Sequence, residues 1–458
     1  MNLLITGATG LLGKKICLEL FKKGHQLFVT SRSPDNVWKH IDVPVQALAW
    51  PLQSSDDEHL AQIDGVIHLM GESIASGRWT AQKKQTLFDS RVKSTQQLFE
   101  ALSKVNSTLK AWVNASAIGF YGADSSKLYT ENDPAGNDFL AKLGQEWEEA
   151  VFNSPFPNNP NLRRVALRVG VVLSTEGGAL EKMLPAFENG VAGKLSNGKQ
   201  WFSWIHIDDM VDLFIRAIED SNMVGPYNAV APEPIQNNTF TKTLSQVLRK
   251  PAIFPVPALA LKIILGEMST LLLDGHQVIP KKLEELGYTF KYPSLKSALE
   301  HLCSDYDQGV HQLQFHQWIP ETTEKTFDFF CTAKNLNLIT PESLNFKIIS
   351  VSDDSLQSGT TLDYQIKIHG FPVKWKTLIQ DWKPPHMFSD IQTRGPYSKW
   401  YHTHTFEPMH HGTMMTDTIS YKIPLGPLGK LAEKLFVKKD LLNIFEYRKK
   451  VIYEYFKS

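Results

Sequence analysis

Three glycines at Gly7, Gly10 and Gly13, directly after an apolar run from Met1 to Thr6, constrain this chain more than any other feature. The run reads as a short buried strand, because parallel strands covered on both faces lose the polar alternation of a surface sheet. The turn then opens a helix expected over Lys14 to Lys23, ended by Gly24, and a second strand is expected over Gln26 to Thr30. Glycines let the backbone turn tightly and approach a pyrophosphate, whose charge is favoured by free N–H groups and the positive end of the helix dipole. The Gly-x-x-Gly-x-x-Gly spacing differs from the Gly-x-Gly-x-x-Gly of many dehydrogenases. Strand, turn, helix and strand nevertheless arrive in the order of a βαβ unit, so the turn is expected to cradle a dinucleotide.

At 458 residues the chain is too long for one ordinary domain. Its 48 basic and 48 acidic residues cancel, which removes the global field that would recruit nucleic acid or an anionic membrane and leaves a small-molecule partner as the expectation. Only Cys17, Cys303 and Cys331 occur, without Cys-x-x-Cys spacing, which disfavours a disulfide framework and a thiolate zinc site. A reducing, cytoplasmic setting is expected, with no signal segment ahead of the first strand. The most apolar stretch, Ile253 to Leu273, is broken by Pro255, Pro257, Lys262 and Glu267, so it predicts a packed helix and no membrane span.

From Met1 to about Val172, strand-like runs alternate with helical patterns, which predicts a doubly wound α/β sheet. The runs are Leu3 to Thr6, Leu27 to Thr30, Gln46 to Trp50, Gly65 to Met70, Ala111 to Ala115 and Arg164 to Val172, with helices expected over Lys83 to Leu102 and Phe139 to Phe152. From residue 177 to about 301 the rhythm changes to helices with short strands, the pattern of a small substrate lobe. A polar, turn-rich linker follows over 304–309. Beyond it come a helix-like segment (Thr323 to Phe330) and alternating runs at Phe346 to Val351, Thr360 to His369, Val373 to Trp382, Trp400 to Phe406 and Gly412 to Ile423. A long closing helix is expected over roughly Leu428 to Phe456, with Leu431, Leu435, Leu442, Phe445, Val451 and Ile452 at helical spacing. Domains are thus expected over 1–303 and 310–458. Strands wrapped around one long helix leave a cavity between them.

The end of the second strand discriminates between the nicotinamide cofactors. An NAD site places a carboxylate there for the ribose 2′-hydroxyl, whereas an NADP site needs positive charge. This chain offers Ser31 and Arg32, which can donate to and pair with a 2′-phosphate, and its nearest acid, Asp35, lies beyond a proline. The expected cofactor is therefore NADP(H). The tip of the strand ending at Gly71 should lie beside the pyrophosphate. Ser116, at the end of the Ala111 strand, is a candidate to hydrogen-bond a substrate carbonyl near the nicotinamide.

Several stretches together resemble the extended short-chain dehydrogenase/reductase superfamily, and within it the atypical epimerase family branch related to NAD-dependent epimerases, over about residues 1–300. They are Gly7 to Gly13, His68 to Ile74, Arg78-Trp79-Thr80, Asp89-Ser90-Arg91, Ser116 to Gly122, Gln200 to Asp209, Ala231 to Pro234 and Leu265 to Met268. The resemblance implies a Rossmann-type sheet. It also implies cofactor contacts from Gly7, Thr9, Gly10, Leu11, Leu12, Gly13, Ser31, Arg32, Leu69, Met70, Gly71, Arg91 and Ala115. Its usual Tyr-x-x-x-Lys pair, in which the lysine lowers the phenol's pKa for proton transfer, is missing: the helix that should carry it reads Phe139-Leu-Ala-Lys142-Leu143. Tyr292-Pro-Ser-Leu-Lys296 matches literally but lies outside the sheet. Tyr121 is a substitute acid, with Ser116 as orienting group. The segment Trp204 to Met210 reads as a strand entering a helix capped by aspartates, with His206 packed behind the site, in preference to metal or acid-base chemistry. The expected function is an NADP(H)-dependent oxidoreductase or epimerase-like enzyme. The alternative is a non-enzymatic NADPH-binding sensor or scaffold.

Residues from about 310 resemble the helix-grip superfamily of polyketide cyclases and START lipid-transfer domains. The resemblance rests on Phe327 to Phe330, Asn335 to Pro341, Gly359-Thr360, Trp375 to Thr377, Pro384-Pro385, Arg394 to Tyr397, His402 to Phe406, Asp417 to Tyr421 and residues 424–429. It implies an α+β domain with a deep apolar cavity for a hydrophobic ligand. His402 and His404 share one strand face with His410 and His411 nearby, but no third ligand has persuasive metal spacing, so a polar strand face or rim hydrogen bonds are expected and no metal.

Overall fold

The computed structural model describes the chain except residues 125, 305–309, 354, 425, 427–428, 430–431 and 458, and the side chains of 433, 434 and 457. Two compact units divide it, one of Met1–Ile41 with Val45–Ser304 and one of Asp42–Pro44 with Asp305–Ser458. The expected linker at 305–309 lies outside the described residues, as do residues 428 and 431 of the expected closing helix and part of the 424–429 segment.

In the first unit seven parallel strands form one sheet: β1 (Asn2–Thr6), β2 (Gln26–Ser31), β3 (Gln46–Ala49), β4 (Gly65–His68), β5 (Ala111–Ala117), β6 (Arg163–Val169) and β7 (Gly225–Ala229). Their order is β3-β2-β1-β4-β5-β6-β7, so the winding reverses between β1 and β4 and opens a crevice at their carboxyl ends. Leu3, Leu4 and Ile5 are wholly buried, as a strand covered on both faces requires. Helix α1 (Leu11–Lys22) packs beside α4 (Ile207–Glu219), while α2 (Ser94–Val105) packs beside α3 (Phe139–Phe152). Phe99 of α2 stacks on Trp112 of β5 at 3.7 Å between ring centroids, fixing that helix to the sheet.

The first unit differs from the expectation in the following places. The strand expected over Arg164 to Val172 breaks at Gly170, where a Cβ would lie 2.7 Å from the Ser203 carbonyl oxygen; beyond it Val171–Leu173 leaves the main sheet to pair with Trp204–His206. The segment Gly225–Ala229, expected in the substrate lobe, returns to the main sheet as its edge strand, paired in parallel with β6. The stretch Ile253 to Leu273 is not a packed helix. It forms Ala258–Leu265 and Thr270–Leu273 around a turn at Gly266–Ser269, with Leu259, Ile263 and Ile264 at 69%, 64% and 64% exposure and Leu261 alone of the first helix buried. A helix apolar on every side carries no stripe from which the inward face can be read.

The second unit is an antiparallel sheet of β8 (His311–Ile319), β9 (Lys347–Val351), β10 (Thr361–Ile368), β11 (Phe371–Lys383), β12 (Met387–Arg394), β13 (Lys399–Met409) and β14 (Gly412–Lys422). The order β8-β14-β13-β12-β11-β10-β9 is a meander closed by its first strand. Helix α5 (Thr323–Phe330) sets Phe327 and Phe330 edge-on and tilted against Phe406, and Phe445 of α6 (Lys438–Lys457) stacks on Phe315 at 4.3 Å. Strands β8 and β12 were not among the expected runs; β8 is rich in Gln and His, and β12 carries Ser, Asp, Gln and Thr among its apolar residues. A cavity of about 780 Å³ lies within this unit, lined among others by Phe330, Leu336, Ile366, Trp375 and Ile444. No helix among the described residues is long and apolar enough to cross a membrane.

The first turn leaves no room for a side chain at Gly13. A Cβ on Gly13 would meet the Gly7 carbonyl oxygen at 2.5 Å and the Ala8 Cα at 2.6 Å, both backbone atoms that cannot swing aside. Gly13→Ala is expected to destabilise the first unit by about 1–3 kcal/mol, the usual cost of overpacking. Urea unfolding measures it, and an unchanged midpoint would contradict this packing.

Candidate functional site

The crevice begins at the Gly7 turn. Gly7 has a positive φ of 68°, and Gly10 N–H donates to its carbonyl at 3.0 Å, closing the loop. Thr9 and Gly10 are exposed at the apex and Gly13 is buried beneath it. Helix α1 then starts with Gly10 as N-cap and no side-chain cap. The amides of Leu11, Leu12 and Gly13, which precede the first possible intrahelical bond at Lys14, therefore open a helix end suited to an anion. A Cβ on Gly7 would lie 3.0 Å from the Leu69 carbonyl group, so β4's exit loop closes over the turn.

That loop is anchored by Thr6 and His68, register partners on β1 and β4. The Thr6 hydroxyl lies 2.7 Å from His68 Nδ1, and Leu69 N–H donates to Thr6 Oγ1 at 3.2 Å. Burial pushes the His68 pKa down to about 3, which keeps its imidazole neutral. Met70 follows Leu69 in the loop. At Gly71 the space a Cβ would need is filled by the Arg91 guanidinium, 3.1 Å away, which donates to the carbonyls of Glu72 and Leu87 at 3.0 and 3.2 Å. Burial lowers the Arg91 pKa to about 10. At the end of β2, Ser31 Oγ accepts from Ser33 N–H at 3.0 Å, leaving its proton to donate, and Arg32 is exposed. Ala115 on β5 borders an apolar cluster that includes Trp147 and Leu143.

Ser116 and Tyr121 meet in a buried polar row that the register of the sheet creates. Ser116 on β5 pairs with Arg168 on β6, and Arg168 with Asn228 on β7. The Ser116 hydroxyl donates to Glu148 Oε1 at 2.7 Å, and Glu148 holds Arg168 through two bonds of 2.8 Å. Arg168 donates to Tyr121 Oη at 2.8 Å, and Tyr121 donates to Asn228 Oδ1 at 2.6 Å. The guanidinium stacks on Phe120, 3.6 Å from its centroid. Burial outweighs the nearby arginine and raises the Tyr121 pKa to about 12, so the phenol stays protonated. Glu131 closes the row by accepting from the Asn228 amide at 3.0 Å, and burial raises its pKa. Sequence reasoning missed Glu148, Arg168, Asn228 and Glu131. The register that aligns three neighbouring strands is the only signal that could have found them.

His206, rather than an aspartate, caps α4: its Nδ1 accepts from Asp208 N–H at 3.0 Å, so its Nε2 proton faces His301 Nδ1 at 3.1 Å. Asp209 instead accepts from the amides of Lys291 and Tyr292 at 2.7 and 3.0 Å, and Tyr292 stacks on His206.

In the second unit a third group does join His402 and His404. Asp390 on β12 is the register partner of His402, and Asp417 on β14 is that of His404. The pairing brings four ionisable side chains together across three strands, a proximity invisible in linear spacing. Burial opposes charge on both carboxylates, yet the histidines beside Asp390, and Arg448 with the histidines beside Asp417, hold both well below the usual range. Burial likewise opposes the charge on His402, but the two carboxylates raise its pKa to about 9.

The first two thirds of the chain match known proteins. Residues 3–230 match the model of the NAD dependent epimerase/dehydratase family, and residues 256–302 match a domain of unknown function, DUF1731. An epimerase family protein of Staphylococcus aureus is 38% identical over 303 residues, 66% of this chain and 99% of its own length. The chain belongs to the NAD dependent epimerase/dehydratase family. A chloroplastic family member of Arabidopsis thaliana, a homolog of SDR39U1, is 35% identical over 307 residues, covering 65% of this chain and 86% of its own. The crystal structure of human epimerase family protein SDR39U1 with NADPH aligns with a TM-score of 0.59 at 30% identity, over 67% of this chain and all of the human one. The family accounts for the parallel sheet and the glycine turn.

The buried row tests the site's architecture. Arg168→Met would leave the buried Glu148 of α3 without its countercharge, and breaking a buried pair on one side costs about 3–5 kcal/mol. Chemical denaturation is expected to show a loss of that size, and a change within about 1 kcal/mol, the scale of exposed pairs, would contradict the row.

Proposed function

We propose that the chain is an NADP(H)-binding oxidoreductase or epimerase-like protein acting on an apolar carbonyl or hydroxyl substrate, fused to a START-like domain that binds a hydrophobic ligand. The observation that carries this reading is the uncapped, close-packed Gly7–Gly13 helix start together with Ser31 and Arg32, and no carboxylate, at the end of β2. The NADPH in the human family member's structure supports the choice of cofactor. Bound there, the nicotinamide would supply or accept a hydride. The amides of Leu11, Leu12 and Gly13 would hold the pyrophosphate, Ser31 and Arg32 the 2′-phosphate, and Leu69, Met70, Gly71 and Ala115 the walls of the crevice. Arg91 fixes the loop around Gly71 from behind. Ser116 would orient the substrate carbonyl, with Tyr121 or water supplying the proton. The cavity in the second unit would concentrate an apolar ligand on the same chain.

A specific observation favours the second reading, an NADPH-binding sensor or scaffold. The protons of Ser116 and Tyr121 are already given to Glu148 and Asn228, and α3 reads Phe139-Leu-Ala-Lys142-Leu143 where the superfamily resemblance implies a Tyr-x-x-x-Lys pair. A substrate would have to compete for those protons.

Titration of NADPH and NADH against wild type and Arg32→Ala tests the cofactor assignment. NADPH should bind wild type more tightly than NADH. The variant should lose roughly 10–100-fold for NADPH alone, the scale of a charge-assisted bond. Equal affinities in wild type would overturn the assignment. NADPH oxidation across a panel of apolar carbonyls, abolished in Ser116→Ala/Tyr121→Phe, separates enzyme from sensor; no turnover with tight binding selects the sensor.

A further inference from the structure

We propose that Asp390, His402 and His404 form a mononuclear site for a divalent transition-metal ion in the wall of the C-terminal cavity. Two imidazole nitrogens converge on one carboxylate oxygen: His402 Nδ1 lies 3.1 Å and His404 Nε2 3.3 Å from Asp390 Oδ2. All three ligand atoms lie within 4.8 Å of one another. Metal–nitrogen and metal–oxygen bonds of about 2.0–2.2 Å in tetrahedral geometry separate ligand atoms by about 3.3–3.6 Å, close to both nitrogen–oxygen distances here. Two histidines and one carboxylate leave at least one position open.

The surroundings complete the arrangement. A metal-bound histidine almost always donates its other ring N–H to a carboxylate, which fixes the tautomer and the ring. His402 has such a partner in Asp417, and His404 lies against the same carboxylate oxygen. His402 Nε2 lies 3.0 Å from Asp417 Oδ1, and His404 Nδ1 lies 2.6 Å from the same oxygen, off the alignment of a hydrogen bond. Arg448 stands 3.7 Å from the other oxygen of Asp417 and offsets its charge. Asp390, His402 and His404 line the cavity, whereas Asp417 does not, so the three ligands face the cavity with their orienting carboxylate outside its lining. His402 and His404 are 5% and 4% exposed, which shields the ion from bulk water. The open position would face a mainly apolar cavity. It would therefore take an oxygen of a ligand otherwise hydrophobic, such as a carboxylate, enolate or hydroxyl.

Among the described residues His206, Asp208 and His301 also cluster, but His206 has both ring nitrogens engaged, one as the cap of α4 and one toward His301. That cluster is the internal competitor in the test. The full chain, stripped with a chelator, is titrated with Zn²⁺ by calorimetry and with Co²⁺ by visible absorption. One equivalent is expected, with the intense Co²⁺ bands of a four-coordinate site. Binding should vanish in His402→Asn/His404→Asn, persist in His301→Asn, and weaken about 10–100-fold in Asp417→Asn through the orienting bond alone. The wild-type Co²⁺ spectrum and a rise in melting temperature on adding Zn²⁺ keep the test meaningful if the double variant misfolds. No binding by wild type, or binding lost in His301→Asn and kept in the double variant, would overturn the proposal.

Discussion

A methyl group on residue 13 would lie 2.5 Å from the Gly7 carbonyl oxygen, and one on residue 7 would press within 3.0 Å of the Leu69 carbonyl group. The helix start, the first turn and the exit loop of β4 are thus within backbone contact of one another. Everything at the crevice follows from that closeness. It brings the amide end of α1 to the switch point between β1 and β4, and it aligns Thr6 with His68 so that one buried hydroxyl–imidazole contact ties the two strand ends. The turn leaves no room for a side chain at Gly7 or Gly13, so backbone N–H groups can approach a ligand there.

Further along the sheet the material changes from backbone to buried charge. Parallel register sets Ser116, Arg168 and Asn228 side by side on β5, β6 and β7, and Glu148 and Glu131 supply the countercharge and the remaining acceptors. A buried guanidinium persists only when paired and hydrogen-bonded, and here it also stacks on Phe120. The row commits the hydroxyl protons of Ser116 and Tyr121 to Glu148 and Asn228.

Much of this was legible in the residues, and what was not has a common cause. The first strand, its glycine turn and α3 could be read because local pattern fixes them: Phe139–Phe152 carries a helical stripe and an Asp138 cap. That β2 ends at Ser31, with Arg32 exposed just beyond it, could also be read locally. By contrast, Glu148 and Arg168 belong to a row made by three strands, and Asp390 reaches His402 through hairpin register, neither of which linear spacing records. The edge strand Gly225–Ala229 was assigned to a lobe because five residues with a glycine and a proline carry little periodicity. The exposed face of Ala258–Leu265 has no sequence signal, because apolar residues surround Lys262 on both sides and leave no stripe to give a direction. His206 was read as packed behind aspartate caps, whereas the imidazole itself is the cap.

The central claim is that the backbone of the first turn, with Arg32 at its side, is a dinucleotide cradle. Hydrogen–deuterium exchange of the full chain with and without NADPH tests it most directly. The account predicts slowed exchange in peptides covering residues 7–13, 31–33 and 69–71. Unchanged exchange there, or protection confined to residues beyond 310, would contradict it.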